Sequence, residues 1–464
     1  MFSLVLVAII SNSSYSSIAP ILPLEIVKHG IQEQFISLIF LFFPIGYSLT
    51  SLVVGRYLES MGTHKVMSLG MAFQALLFYW LGYIFELPIK NNNSSANEFF
   101  ILVGLLTLTE FFLGCSMSMI ATGYYSMATL VFSSEKESAM SCIEAAVGTG
   151  YIVGPIIGSA IYDEMGYQSA YKTVSFGMAL MAFITWKILF PCLKAKARCN
   201  SGDDLLIGDP EAQGRLIPCN DLKNDQHEQM NYMSLESQPI NETMAQGPSA
   251  MTLLKIPKIT IAAMSILWIN VSWTFMEPIL ATRLVDLHVG KKWIGIIFGL
   301  VNIVYVPSAF LMQHFPKRFE RHSTITISMV LTPFSVLMTG SIHFPLLIAG
   351  VICVGFFPTP VWIMLLPTMQ EDVSALFPDP SLKRSLNDVT AGIYNSFMTL
   401  GQVVGYIIGP LLNGRYGFAI TTWVVAVLIF LQSLVYYYFG TGAFERWLKS
   451  RRRLRSARSF VNLT

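Results

Sequence analysis

Three glutamates stand where a carboxylate needs a reason. Glu110, Glu144 and Glu277 each lie within a long apolar run, and no Lys or Arg lies at comparable depth in those runs. A carboxylate inside a membrane helix costs on the order of 2–3 kcal/mol, so it faces a polar cavity or a partner. Such acids can hold protons, hold a cationic substrate, or do each in turn. Desolvation favours the protonated carboxyl, and a nearby ammonium favours the ionised one. This is the chemistry of exchanging a proton for an amine. Several separated acids suit a substrate with several amines better than one with a single charge.

Other side chains extend the same chemistry. Tyr15, Tyr124, Tyr125, Trp273 and Tyr394 fall on helices that can meet a central cavity, where each ring adds roughly 0.5–2 kcal/mol of cation–π attraction. Asn12 shares a face with Tyr15 at i+3 spacing and can hydrogen-bond an amine. Asn395 follows Tyr394 and joins the same candidate set. No nucleophile–base set, phosphate loop or Cys/His metal spacing occurs, so no enzyme, cofactor or metal site is expected. The cysteines (115, 142, 192, 199, 219 and 353) predict no disulfide.

These residues need membrane helices to carry them. Only 12% of the 464 residues are charged and 53% are hydrophobic, against about 25% charged in a soluble domain. Twelve runs are long enough to cross a bilayer, near 2–22, 34–56, 65–86, 99–131, 138–162, 169–191, 258–282, 292–313, 323–342, 344–370, 389–412 and 418–440. The expected fold is all-α with twelve transmembrane helices. The first run has no charged n-region or cleavage site and reads as a retained helix. With both termini cytoplasmic, only Lys28, Lys90, Lys172, Arg283, Lys291, Lys292 and Arg415 of the 30 basic residues fall on the far side. That asymmetry follows the positive-inside rule. The same topology puts two N-x-S acceptors, Asn92 and Asn93, outside the cytoplasm.

The chain divides into a six-helix half (1–192), a polar linker (193–257) expected to be disordered, a second six-helix half (258–440) and a basic tail (441–464). A shift of 251 residues carries Gly150, Gly154, Gly158, Gly166 and Tyr167 onto Gly401, Gly405, Gly409, Gly417 and Phe418. Two six-helix repeats are the plan of the major facilitator transporters. The four-residue spacing leaves one helix face free of side chains, so a neighbour can approach closely. Pro155 cannot donate to the carbonyl of Tyr151, so the fifth helix should bend there.

The motifs resemble those of the drug:proton antiporter branch of the major facilitator superfamily. GTGYIVGPIIGS (148–159) is similar to its helix-five motif. GRYLESMGTHK (55–65) is similar to its signature loop, with Gly55, Glu59 and Gly62 at the loop's acid and glycines. SYSSIAPILP (14–23), FMEPIL (275–280) and AGIYNSFMTLG (391–401) are similar to the vesicular amine transporters, and Glu144 matches their polyamine branch. The departures point away from monoamines and from the usual proton relay. Ser60 and Thr63 replace basic residues of the loop, Glu110 replaces the helix-four arginine, and Ser11 replaces a helix-one aspartate. No acid occurs within 345–370 or 390–412.

The resemblance implies proton-coupled antiport of a polyamine or related amine into an acidic vesicle by alternating access. Glu59 then latches onto a helix N-terminus of the other half. The partners are a small cation, protons and the lipid bilayer, with no nucleic acid, and a monomer is expected. A vesicular or endolysosomal membrane is the expected location and the plasma membrane the next. Two other readings fit the same residues: a multidrug exporter of this fold, and a non-transporting membrane receptor or scaffold.

Overall fold

A computed structural model describes residues 1–29, 33–86, 95–132, 135–189, 248–289, 291–312, 314 and 320–441. Nearly all of these residues are helical, and among them nine segments are long and apolar enough to cross a bilayer. One segment, Lys136–Ile184, is two passes joined at Gly166, whose φ of 78° reverses the chain. Lys291–Met312 and the more polar Lys383–Tyr416 bring the passes to twelve.

Pass 1 is Phe2–Ser16 continued by Ile18–Lys28, pass 2 is Glu33–Met61, pass 3 Thr63–Tyr83 and pass 4 Ser95–Val131. Passes 5 and 6 share Lys136–Ile184. Pass 7 is Pro257–Thr274 and Glu277–Asp286, pass 8 Lys291–Met312 and pass 9 Arg321–Thr339. Pass 10 is Phe344–Phe356 and Thr359–Leu376, pass 11 Lys383–Tyr416 and pass 12 Phe418–Val435. Large apolar side chains such as Leu76, Phe100 and Phe176 stay exposed on the outer surface, as a lipid-facing wall requires. Inside, hydroxyls are satisfied locally: Thr109 donates to the carbonyl of Leu105 and Thr149 to that of Ala145, both at 2.7 Å.

The internal repeat extends far beyond the one helix in which it is legible. Gly150 packs on Asn12 and the carbonyl of Ile9, as Gly401 packs on Asn270 and the carbonyl of Leu267. Gly154 packs on Ser13 and Ser16, and Gly405 on Thr274. Gly158 packs on Ser17, and Gly409 on Phe275. Further pairs match: Gly82 on Tyr171 and Gly340 on Thr422, Gly114 on Phe43 and Gly355 on Val301. The shift is 258 residues for passes 1–3, 241 for pass 4 and 251 for passes 5 and 6. Loop lengths differ between the halves, so no single offset reveals the whole repeat.

Two expectations change at the edges. Residues 250–253, placed in the linker, form a helical turn in which Ser249 Oγ accepts from the Thr252 amide at 3.3 Å and Leu253 is buried. Ser249 caps the turn and burial of Leu253 anchors it, so the ordered half begins ahead of residue 258. Pass 11 starts at Lys383, six residues before the apolar run, because its first two turns are buried against the other half. Asn92, Asn93, residues 190–192 of the first half, residues 193–247 of the linker and the tail from 442 lie outside the described residues.

Candidate functional site

The two halves meet on the side where pass 6 ends and pass 7 begins, hereafter the linker side. The hydrogen bonds that join passes 2, 4 and 5 to passes 8, 10 and 11 lie between mid-bundle and that side. Pass 2 meets pass 11 through Tyr47 Oη to Asn395 Oδ1 at 3.5 Å, Ser48 to the Ser396 carbonyl at 3.0 Å and Ser51 to the Gly392 carbonyl at 3.1 Å. Pass 5 meets pass 8 through Ser141 to the Ala309 carbonyl at 2.6 Å and Tyr305 to Glu144 at 2.5 Å. Ser126 donates to Asp388, and Gln370 to Thr129 at 2.9 Å. At the rim Arg321 of pass 9 pairs with Glu137 at 2.6 Å and with Glu371. The 251-residue shift carries Glu137 onto Asp388, so each half closes this side with an acid at the same place.

Glu144 sits at the inner end of this seam, 4% exposed. Its Oε1 accepts from Tyr125 at 2.8 Å and its Oε2 from Tyr305 at 2.5 Å. Tyr124 meets Tyr125 edge-on at 4.7 Å, and Tyr125 meets Tyr394 at 5.9 Å. Tyr124, Tyr151 and Tyr394 are also close enough for the charge on Glu144 to act on them. The result is a carboxylate walled by phenols, a setting that accepts a proton or an ammonium with cation–π support.

Glu277 occupies the other side. It opens the outer segment of pass 7, and its carboxylate accepts from Trp273 Nε1 at 2.7 Å and Tyr406 Oη at 2.5 Å. Tyr15 and Tyr151 of the first half lie within electrostatic range of Glu277 of the second. All five of these side chains are partly exposed. Hydrogen bonds between the halves thus close the linker side, while the side chains around Glu277 keep partial exposure.

Glu110 is not part of either group. It is 0% exposed, and among the described residues neither of its oxygens has a hydrogen-bond partner. Its charge acts on Tyr15, Tyr167 and Tyr171, which places it among passes 1, 4 and 6 inside the first half. The 241-residue shift makes Val351 its counterpart. An unsatisfied buried polar group costs about 1–3 kcal/mol. Glu110→Val is therefore expected to raise the thermal midpoint by several degrees; an unchanged or lower midpoint would show that Glu110 has a partner in solution.

The remaining candidates divide between wall and scaffold. Asn12 is buried, donates to the Ala8 carbonyl at 2.8 Å, supports Gly150 and also bonds Tyr124 of the wall. Tyr15 stacks on Phe43 at 3.9 Å, and Tyr394 donates to the Trp362 carbonyl at 2.7 Å. Asn395 bonds Tyr47 and donates to Thr122 at 3.4 Å, at the seam. Gly55 packs on Gly392 and the Asp388 carbonyl, and Gly62 turns the chain into pass 3 at φ 84°. Glu59 acts electrostatically on Asp388 near the start of pass 11, the region a latch would engage. Pro155 lies within the continuous helix of pass 5, with no break in its backbone there.

Sequence reasoning missed Tyr47, Tyr151, Tyr305, Tyr406 and Asp388. Only Trp273–Glu277, at i and i+4, carried a local signal. Asp388 lies two residues outside the apolar window searched for acids.

Twelve helices in two matched halves, acids at their seam and a bundle closed on one side describe a membrane carrier. Residues 4–380 and 259–462 match the profile of the Major Facilitator Superfamily, and the chain belongs to that superfamily. It is a multi-pass membrane transporter and not an enzyme. The chain is similar to the MFS-type transporter SLC18B1 of Mus musculus, 21% identical over 86% of this chain and 76% of the relative. The Rattus norvegicus protein of that name is 21% identical over 89% and 79%. The Homo sapiens protein is 24% identical over 39% and 37%. A bacterial homologue of the iron transporter ferroportin, solved in an outward-facing state, shares the fold with a TM-score of 0.67 at 12% identity, covering 95% of this chain and 99% of that one.

Proposed function

We propose that the chain exchanges protons for a polyamine or related organic cation, moving the amine from the cytoplasm into an acidic vesicle or endolysosome. The observation that carries this reading is Glu144, a buried acid held at the seam by one hydroxyl from each half and walled by tyrosines. An amine entering from the linker side, which the charge asymmetry makes cytoplasmic, pairs with Glu144 and displaces its proton. The two acids lie far apart in depth, since Glu144 is early in pass 5 and Glu277 about 20 residues into pass 7. At 1.5 Å per residue the first acid is an inner station and the second an outer one. A cation with several amines can leave one while still held by the other. The likeness of the SYSSIAPILP, FMEPIL and AGIYNSFMTLG segments to vesicular amine transporters supports the same cargo.

The test is uptake by the pure protein in liposomes with an acidic interior. Labelled spermine is expected to accumulate and to leave when the proton gradient is dissipated, with serotonin transported poorly. No uptake of either amine by folded, correctly oriented protein would overturn the reading.

A further inference from the structure

The internal repeat sets two seams side by side for comparison. The 258-residue shift carries Tyr47 of pass 2 onto Tyr305 of pass 8, and the 251-residue shift carries Glu144 of pass 5 onto Asn395 of pass 11. Each tyrosine reaches across to the matched residue of the other half. Tyr305 donates to a carboxylate at 2.5 Å, and Tyr47 to a neutral amide at 3.5 Å. The pairing recurs in both repeats, with the shorter bond going to the carboxylate. One seam therefore ends on a group that binds cations, and the other does not.

The two donors on Glu144 also differ in kind. Tyr125 belongs to the same half and stays with Glu144 whatever the halves do. Tyr305 belongs to the other half and leaves when the linker side opens. Its ring is held close to pass 5: a Cβ on Gly148 would lie 2.8 Å from Val306 Cγ2 and 2.9 Å from Tyr305 Cδ1, and Trp362 meets the ring edge-on at 5.1 Å. In the closed arrangement the phenol thus fills the space beside Oε2. The groups that face Glu144 from passes 2, 4, 5 and 11 are the phenols of Tyr47, Tyr124, Tyr125, Tyr151 and Tyr394. No second acid and no base is among them.

We propose that Tyr305 competes with the cargo's ammonium for Glu144, so that closing pass 8 onto pass 5 evicts the cation from its acid. The inference rests on the reading of Glu144 as the cation site. With the linker side open, Oε2 has lost its phenol and is free for an amine. Closure returns the hydroxyl to that oxygen and drives the amine toward the outer station. Tyr305 is a positioning residue for release, and glycine at 148 is what lets its ring reach Glu144.

The experiment measures spermine affinity of the pure protein in nanodiscs, together with KM and maximal rate of uptake in proteoliposomes. Tyr305→Phe removes the competing hydroxyl and keeps the ring. It is expected to tighten spermine binding about tenfold and to lower KM and maximal rate together. Tyr47→Phe should change affinity less than twofold. Gly148→Ala pushes the phenol off pass 5 and should act in the direction of Tyr305→Phe, which serves if that variant does not fold. Wild-type binding with Tyr305→Phe unchanged or weaker, or with Tyr47→Phe equally tightened, overturns this inference alone. Wild-type protein that binds no amine, or Glu144→Gln protein that binds it normally, overturns the cation site and the competition with it.

Discussion

Glu144→Gln should abolish proton-driven spermine uptake while leaving the protein folded. The substitution keeps the shape, and an amide oxygen can still accept from Tyr125, which donates to Glu144 at 2.8 Å. What it removes is the charge. A hydrogen bond to a charged group contributes about 1.5–3 kcal/mol, or about 10–150-fold in affinity. Loss of the titrating group removes the proton exchange as well, so net uptake is expected to fall at least a hundredfold. Uptake against a proton gradient checks this beside a size-exclusion profile for folding. Residual exchange of spermine for spermine, with no net accumulation, would separate cargo binding from proton carriage. Normal net uptake removes Glu144 from the mechanism.

The second large effect is structural. A Cβ on Gly154 would collide with Ser16 Oγ and with the carbonyl oxygen of Ser13. A backbone oxygen inside a helix cannot swing aside, so any larger residue must separate pass 5 from pass 1. Overpacking costs typically 1–3 kcal/mol for small insertions. Gly154→Leu is expected to exceed that range and to yield no monodisperse protein. Gly154→Ala should survive with a lowered thermal midpoint. Gly104 offers the control, because nothing lies within 4 Å of a Cβ there, and Gly104→Leu should leave the midpoint within a degree or two. Equal tolerance at both positions would mean that pass 5 does not sit against pass 1 as described.

The acids were legible because charge inside an apolar run is conspicuous without any knowledge of packing. Their partners were not, since Tyr305 and Tyr406 reach Glu144 and Glu277 from passes distant in sequence, and nothing local marks a tyrosine as a donor to a remote carboxylate. Tyr47 and Tyr151 were hidden for the same reason. Asn12 had the right type and spacing for an amine, and only the structure shows it supporting Gly150 while bonding Tyr124. Glu110 was correctly placed at depth, but only the structure separates it from the seam. Twelve passes were legible by length, whereas the breaks in passes 1, 7 and 10 were not. The helices stop at Ser17, at Phe275 and Met276, and at Phe357 and Pro358, each inside a run long enough to read as one crossing.

The corners at Gly166 and Gly417, with φ of 78° and 79°, have a consequence for how the chain enters its membrane. Each turns one pass into the next through a single non-helical residue, with no loop between them. Pass 5 cannot stop in the bilayer and wait for pass 6, because the corner leaves no free chain for a separate crossing. The two enter together as a hairpin, each helix satisfying its own backbone groups before it meets lipid. Passes 11 and 12 repeat the arrangement. In each half, then, the helix that carries the seam is joined to the one behind it by a single residue, and biosynthesis delivers the two as one corner.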